Sequence, residues 1–179
     1  MGAAFTFRAG AGFPGNVTRQ ENSIIEPALI DAAAPPLLYG VPVLIDPTTN
    51  GVRPIVTADL TSLTNFYGVL VRAFPTSQAS TTNYGNTPLG TNPIPPSSGP
   101  CDVLVSGYIN VQVPVGSALA NKNGPVYVWV AASTGVHVMG GFETSPSAGN
   151  TAAIGGAGVT THYNGGQDAN GIIELVFNI

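Results

Sequence analysis

The sequence predicts an all-β protein: a small β-barrel or sandwich body with an extended N-terminal arm and a long proline-rich loop. Three observations point there. From Val41 onward, apolar residues recur with period two, the spacing that places alternate side chains on one face of a strand. Asn50-Gly51, Asn123-Gly124 and Asn170-Gly171 stand beside apolar runs, and Asn-Gly is the dipeptide that most readily supplies positive φ in tight turns. The C-terminal stretch alternates, with Ile173, Leu175, Phe177 and Ile179 on one side and Glu174 and Asn178 on the other.

The elements follow in chain order. Residues 1–38 have little periodicity and mix Gly, Ala and Pro with isolated aromatics, which reads as an extended arm. Residues 24–34 have room for a short turn, but Pro27 and the pair Pro35-Pro36 forbid a long helix. The β domain is expected over 39–179. It begins with a hairpin: Val41–Ile45, the turn 46–51, then Val52–Val56, where Pro54 restricts the strand to an edge or an irregular pairing. Asp59–Leu63 suits one capped helical turn, and Gly68–Phe74 a strand. Residues 75–100 hold six prolines and no charge, and a loop of that length usually serves binding. Further strands are expected at 102–105, 108–113, 126–131, 136–139 and 172–179, with a turn at 133–135. The stretch 144–167, rich in Gly, Ala, Ser and Thr, reads as a loose segment or short strands.

Charge separates the function classes. Only 8% of residues are charged, against about 25% in an ordinary globular chain. Between residues 73 and 142 the charges are Asp102 and Lys122 alone. Interface cores are depleted of charge in this way. A surface solvated by Ser, Thr and Asn is the competing explanation. The net charge of −4 and five scattered cations argue against a nucleic-acid partner. No apolar run approaches the length that spans a bilayer, so no membrane partner is expected. The N-terminus lacks a basic segment followed by a long apolar one, so no signal peptide is expected. The single cysteine, Cys101, suits assembly in a reducing cytoplasm.

No chemistry stands out. His137 and His162 are 25 positions apart and, with one cysteine, make no zinc spacing. The carboxylates are dispersed, and no Gly-x-Ser-x-Gly elbow presents a serine. Neither enzymatic activity nor a metal or cofactor is expected. In Val126–Val130 both faces are apolar: three valines on one, Tyr127 and Trp129 on the other. Such a strand needs a second layer, an arm or another subunit over it. Tyr and Trp are also frequent interface hot spots.

Several strings, in order across nearly the whole chain, resemble the structural cement, or head decoration, proteins of tailed bacteriophages. They are Phe13-Pro14-Gly15-Asn16-Val17-Thr18-Arg19, Ile25-Glu26-Pro27, Tyr39-Gly40, Tyr67 to Thr76, Cys101-Asp102-Val103-Leu104, Gly107-Tyr108, Gly140-Gly141-Phe142-Glu143 and Val176-Phe177-Asn178-Ile179. The loop 77–99 has no counterpart in this pattern. The resemblance implies a protein made in the bacterial cytoplasm that binds the outer face of a phage head at junctions between major capsid subunits. It implies a homo-oligomer, dimer or trimer, without cofactor.

On this reading the arm and the loop 75–100 supply reach, and deleting residues 1–20 should leave a folded body that no longer binds capsids. Candidate contact residues are Phe13, Pro14 and Arg19 in the arm, Arg72 and Phe74 in their strand, and Tyr127 and Trp129. Arg72 stands in an apolar strand, where a charge needs a partner, and an internal carboxylate would serve equally. The alternative function is a carbohydrate-binding module or phage fibre lectin, with Tyr67, Tyr84, Tyr108, Tyr127, Trp129 and Tyr163 available to stack on sugars.

Overall fold

A computed structural model describes residues 12–61, 66–72, 95–154 and 160–179. The strands are β1 (Ile24–Ile30), β2 (Pro42–Ile45), β3 (Val52–Pro54), β4 (Gly68–Leu70), β5 (Gly99–Gln112), β6 (Val126–Trp129), β7 (Phe142–Glu143), β8 (Thr151–Ile154), β9 (Thr161–Tyr163) and β10 (Ile172–Phe177). Two short 3-10 turns, Gln20–Asn22 and Thr57–Thr61, complete the described elements. The expected all-β class is the observed one.

Strands β1, β3, β2, β4 and β5 follow one another side by side, and β1 also pairs with β5, so the five close into a barrel. Beyond the barrel, β10 pairs with the second half of β5 and carries β9 on its far side. A separate sheet, β7-β6-β8, covers this extension.

β5 is the spine. Two strands were expected at 102–105 and 108–113, but one strand runs from 99 to 112. Gly107, at φ +137°, makes the continuity possible, since a Cβ there would collide with the Ser23 side chain. Before that glycine β5 pairs with β1 and β4; after it, with β10, where Val111 faces Ile173 and Ile109 faces Leu175.

Apolar burial explains the layers. Inside the barrel, Ile30, Val43, Val52, Leu70 and Val103 form one cluster. A larger one fills the space between β5, β10 and the second sheet, with Ile109, Val111, Leu175 and Phe177 meeting Val126, Val128, Val130 and Phe142. The second layer that the valine face of β6 requires is therefore supplied within the chain. Phe66 closes one end by meeting the Phe177 ring edge-on at 5.0 Å.

Several local expectations are corrected. Residues 24–34, read as room for a short turn, contain strand β1, because β5 offers seven pairing positions, with a register shift between Ile24 and Ile25, that local propensity cannot reveal. Pro27 is tolerated on it as an edge-strand proline, for β1 meets β3 only at Ile30 opposite Val52. Residues 136–139 form no strand: Thr134 and His137 exchange two backbone hydrogen bonds across a tight turn, leaving Val136 and Val138 exposed. The helical turn covers Thr57–Thr61, overlapping the expected 59–63, whose last two residues lie outside the described ones, and Asp59 accepts from the Val56 N–H at 2.9 Å. The β2–β3 connection is longer than a two-residue turn: Asp46 Oδ1 accepts from the Thr48 and Thr49 N–H groups, so Asn50 alone takes positive φ there. Ile179 is exposed instead of continuing the buried face of β10.

Candidate docking surface

The chain enters the described region as a strap laid on β5. Gly15 N–H donates to the Asn110 carbonyl at 2.7 Å, and Asn110 N–H returns a bond to Asn16 at 2.9 Å. Val17 bridges Ile109, and Thr18 N–H donates to the Tyr108 carbonyl at 3.0 Å. Ile109 and Tyr108 pair with β10 on their other side, so the strap occupies the edge that β10 leaves open. After the 3-10 turn, β1 continues along β5. Residues 15–30 thus follow β5 antiparallel from Asn110 to Gly99.

Two glycines let the strap approach. Gly15, at φ +85°, lies where a Cβ would come within 3.0 Å of the Arg72 backbone and of Tyr39. Gly40, at φ +70°, lies against Pro14 and the Gly15 nitrogen. The invading side chains that any other residue would bring have no room here.

Arg19 and Glu174 fasten the strap's far end. The Arg19 guanidinium lies 4.1 Å from the centroid of the Tyr108 ring and bonds Glu174 at 3.0 Å. Thr18 Oγ1 donates to the same carboxylate at 2.5 Å, and Asn164 donates to it as well. Burial alone would raise the Glu174 carboxyl, but the bonds from Thr18 and Asn164, with Arg19, outweigh it and hold the carboxyl below its ordinary value.

At the near end, Arg72 N–H donates to the Gly15 carbonyl at 2.9 Å, and the guanidinium lies 4.7 Å from the centroid of the Phe13 ring. Phe13 itself is 42% exposed. The structure thus brings Phe13, Pro14 and Arg72 together, with Arg19 further along the same strap. Tyr127 and Trp129 belong to the other sheet. Trp129 is buried, stacked on His137 at 4.3 Å, with its Nε1–H donated to the Ala132 carbonyl; Tyr127 is half-buried on β6 between Glu143 and Ala153. Phe74 and most of the loop 75–100 lie outside the described residues.

The surface holds residues that sequence reasoning missed. On β1, Ile24 is 58% exposed, Ile25 42% and Leu29 63%. Their backbone is bonded to β5, and the Tyr67 hydroxyl fixes Glu26 at 2.7 Å. That bond, with burial, pushes the Tyr67 hydroxyl up to about 12. The apolar signal was present in Ile24-Ile25 and Leu29, but Pro27 hid the strand. Further round, two apolar grooves of about 430 and 340 Å³ share Leu38, Val41 and Val138. Tyr39 and Gly40 line the first groove and also touch Gly15, which joins the grooves to the strap.

Among the described residues, no three metal-ligating side chains come together, and no helix is long and apolar enough to cross a membrane. His137 bonds Glu143 at 2.7 Å through Nδ1 and packs on Trp129.

Residues 2–177 match the family described as XM1 gp53 minor capsid protein. A solved structure described as the capsid of Myoviridae phage XM1 contains a similar chain, with a TM-score of 0.66 and 15% identity. The alignment covers 98% of this chain and 95% of that one, a likeness of fold. No curated protein sequence matches.

Proposed function

The chain belongs to the XM1 gp53 minor capsid protein family and has a structural role in a phage capsid; from that premise we propose that it is a non-catalytic cement protein. It binds the outer surface of the head at junctions between major capsid subunits. It acts there as a homo-oligomer, dimer or trimer, and takes no cofactor.

The observation that carries this reading is the ridge on β1. Ile24, Ile25 and Leu29 stand exposed on a strand whose backbone is held by seven pairing positions on β5. A rigid apolar ridge, on a chain with 8% charged residues, is suited to burial against another protein and poorly suited to water. The mechanism is geometric. Pressure from packaged DNA pulls capsid subunits apart at their seams, and a protein touching several subunits adds contacts that must break first. Many copies on one lattice need only modest affinity each, because linked sites act at high effective concentration.

The sugar-binding alternative is disfavoured by three of its six rings. Tyr108 lies under Arg19, Trp129 under His137, and Tyr163 is buried with its hydroxyl on the Glu143 carbonyl.

The test is solution mass by light scattering, followed by titration into undecorated heads. A dimer or trimer that saturates the heads and raises their melting temperature is expected. A monomer without effect on heads sinks the proposal.

A further inference from the structure

All nine side-chain carboxylates of this chain lie among the described residues, so the ionic partners of a described cation can be traced. Arg53 is held by Asp59 at 2.7 Å and by Asp46 at 3.3 Å. Arg19 is held by Glu174. Arg72 has no carboxylate within ion-pair distance among the described residues.

Arg72 is nevertheless drawn out of water. It is half-buried against Phe13, and burial pushes its guanidinium below the ordinary value, an effect that neighbouring Tyr39 only partly opposes. A guanidinium that has lost hydration without gaining an anion is unfavourable when left alone. Its backbone bond to Gly15, and the tight contact of Gly15 with Tyr39, hold that part of the chain in place. An aromatic ring behind the planar guanidinium leaves its N–H edge available, and that edge matches a carboxylate in a two-pronged bond.

We propose that Arg72, backed by the Phe13 ring, receives a carboxylate side chain of the capsid subunit to which the protein docks. This rests on the cement reading and names the chemistry of one of its contacts. A polyanion such as nucleic acid fits less well, for it would need several cations together, whereas Arg19 and Arg53 are already engaged with carboxylates. One lone guanidinium on an aromatic backing suits one acidic side chain.

The experiment uses the full chain and purified undecorated heads, with binding measured as salt rises from about 0.05 to 0.5 M, across which screening shortens the reach of charges severalfold. Arg72→Met keeps the aliphatic stem and removes the charge; Arg72→Lys keeps the charge; Arg72→Glu reverses it. The melting temperature of each free protein is recorded first. Arg72→Met should retain the wild-type melting temperature and lose at least about tenfold in affinity for heads, as removal of one partner of an interfacial charge pair does. Arg72→Lys should recover part of that loss, and Arg72→Glu should bind more weakly than Arg72→Met. Wild-type affinity in Arg72→Met, or wild-type binding unmoved by salt, overturns the carboxylate contact and leaves the cement reading standing. Wild-type protein that ignores heads altogether overturns both.

Discussion

Arg19 and Arg72 make a natural pair. Each belongs to or touches the same strap, and each places its guanidinium over an aromatic ring, Tyr108 in one case and Phe13 in the other. At Arg19 the arrangement closes on itself: Glu174 collects Arg19, Thr18 and Asn164. At Arg72 no carboxylate of the described residues comes within ion-pair distance, and Phe13 remains partly exposed. An arginine on an aromatic ring is therefore no indicator of role by itself. The anion beside it decides whether the group fastens the fold or stays available to a partner. Arg19, chosen from sequence as a contact, is engaged inside the chain, whereas Arg72, for which an internal carboxylate was weighed, has none among the described residues.

The sharpest way to break this comparison is to remove both ends at once. Deleting residues 1–20 takes away the strap's four backbone hydrogen bonds to Asn110, Tyr108 and Arg72. At about 1 kcal/mol each, this should cost about 4 kcal/mol of stability. Sequence reasoning expected a body that stays folded after that deletion and loses capsid binding. Urea unfolding of the truncated chain distinguishes the two outcomes; an unchanged midpoint would show that the strap contributes nothing.

Next in size is Gly40→Ala. The added Cβ meets the Gly15 nitrogen at 2.6 Å on a backbone at φ +70°. A loss of about 2 kcal/mol is expected from left-handed strain with the forced shift of the strap, and thermal unfolding reads it.

Glu174→Gln isolates the anchored end. It should cost about 1–2 kcal/mol, because charge-assisted bonds from Thr18 and Arg19 are weakened together at a partly exposed site. The same carboxyl predicts an acid dependence. Its folded value is lowered, so its contribution is present in full above the ordinary carboxylate value and is lost as pH falls through the lowered folded value. Amide exchange at Thr18 and Asn110, whose N–H groups bond across the strap, measured through this acid range and corrected for intrinsic rates, should quicken there, and in Glu174→Gln that added step should vanish.

The smallest expected effect sharpens the comparison from the other side. Arg72→Met should leave stability within about 0.5 kcal/mol of wild type, as surface changes away from internal partners do. A larger loss in urea unfolding would place Arg72 with Arg19 as a fastening residue.

Much of the fold was legible where local chemistry is self-sufficient. Asp46, Asn50 and Gly51 announced their turn, and the valines of β6 announced a covered face. Strand β1 was not legible, since Pro27 reads as a breaker until an edge position is available for it. Nor was the single course of β5 through Gly107, which depends on Ser23 packing across the sheet. Within the candidate surface, Phe13, Pro14 and Arg72 were named from sequence as separate contact candidates, and only the fold brings them together; Ile24, Ile25 and Leu29 were overlooked. For Trp129 the sequence left cover within the domain and cover by another subunit both open, because its stacking partner, His137, comes near only after the 134–137 turn forms.

The sequence by itself determined the all-β class, the positions of most turns and the scarcity of charge, because period, turn dihedrals and composition are properties of short stretches of chain. Tertiary structure alone decided which edge of β5 the strap takes, that Arg19 finds Glu174, and that Arg72 finds Phe13 without an acid. Glu174 lies 155 residues beyond Arg19. A carboxylate at that separation is brought to a guanidinium only when the barrel closes and β10 docks on β5, so no local rule could pair one arginine and leave the other open.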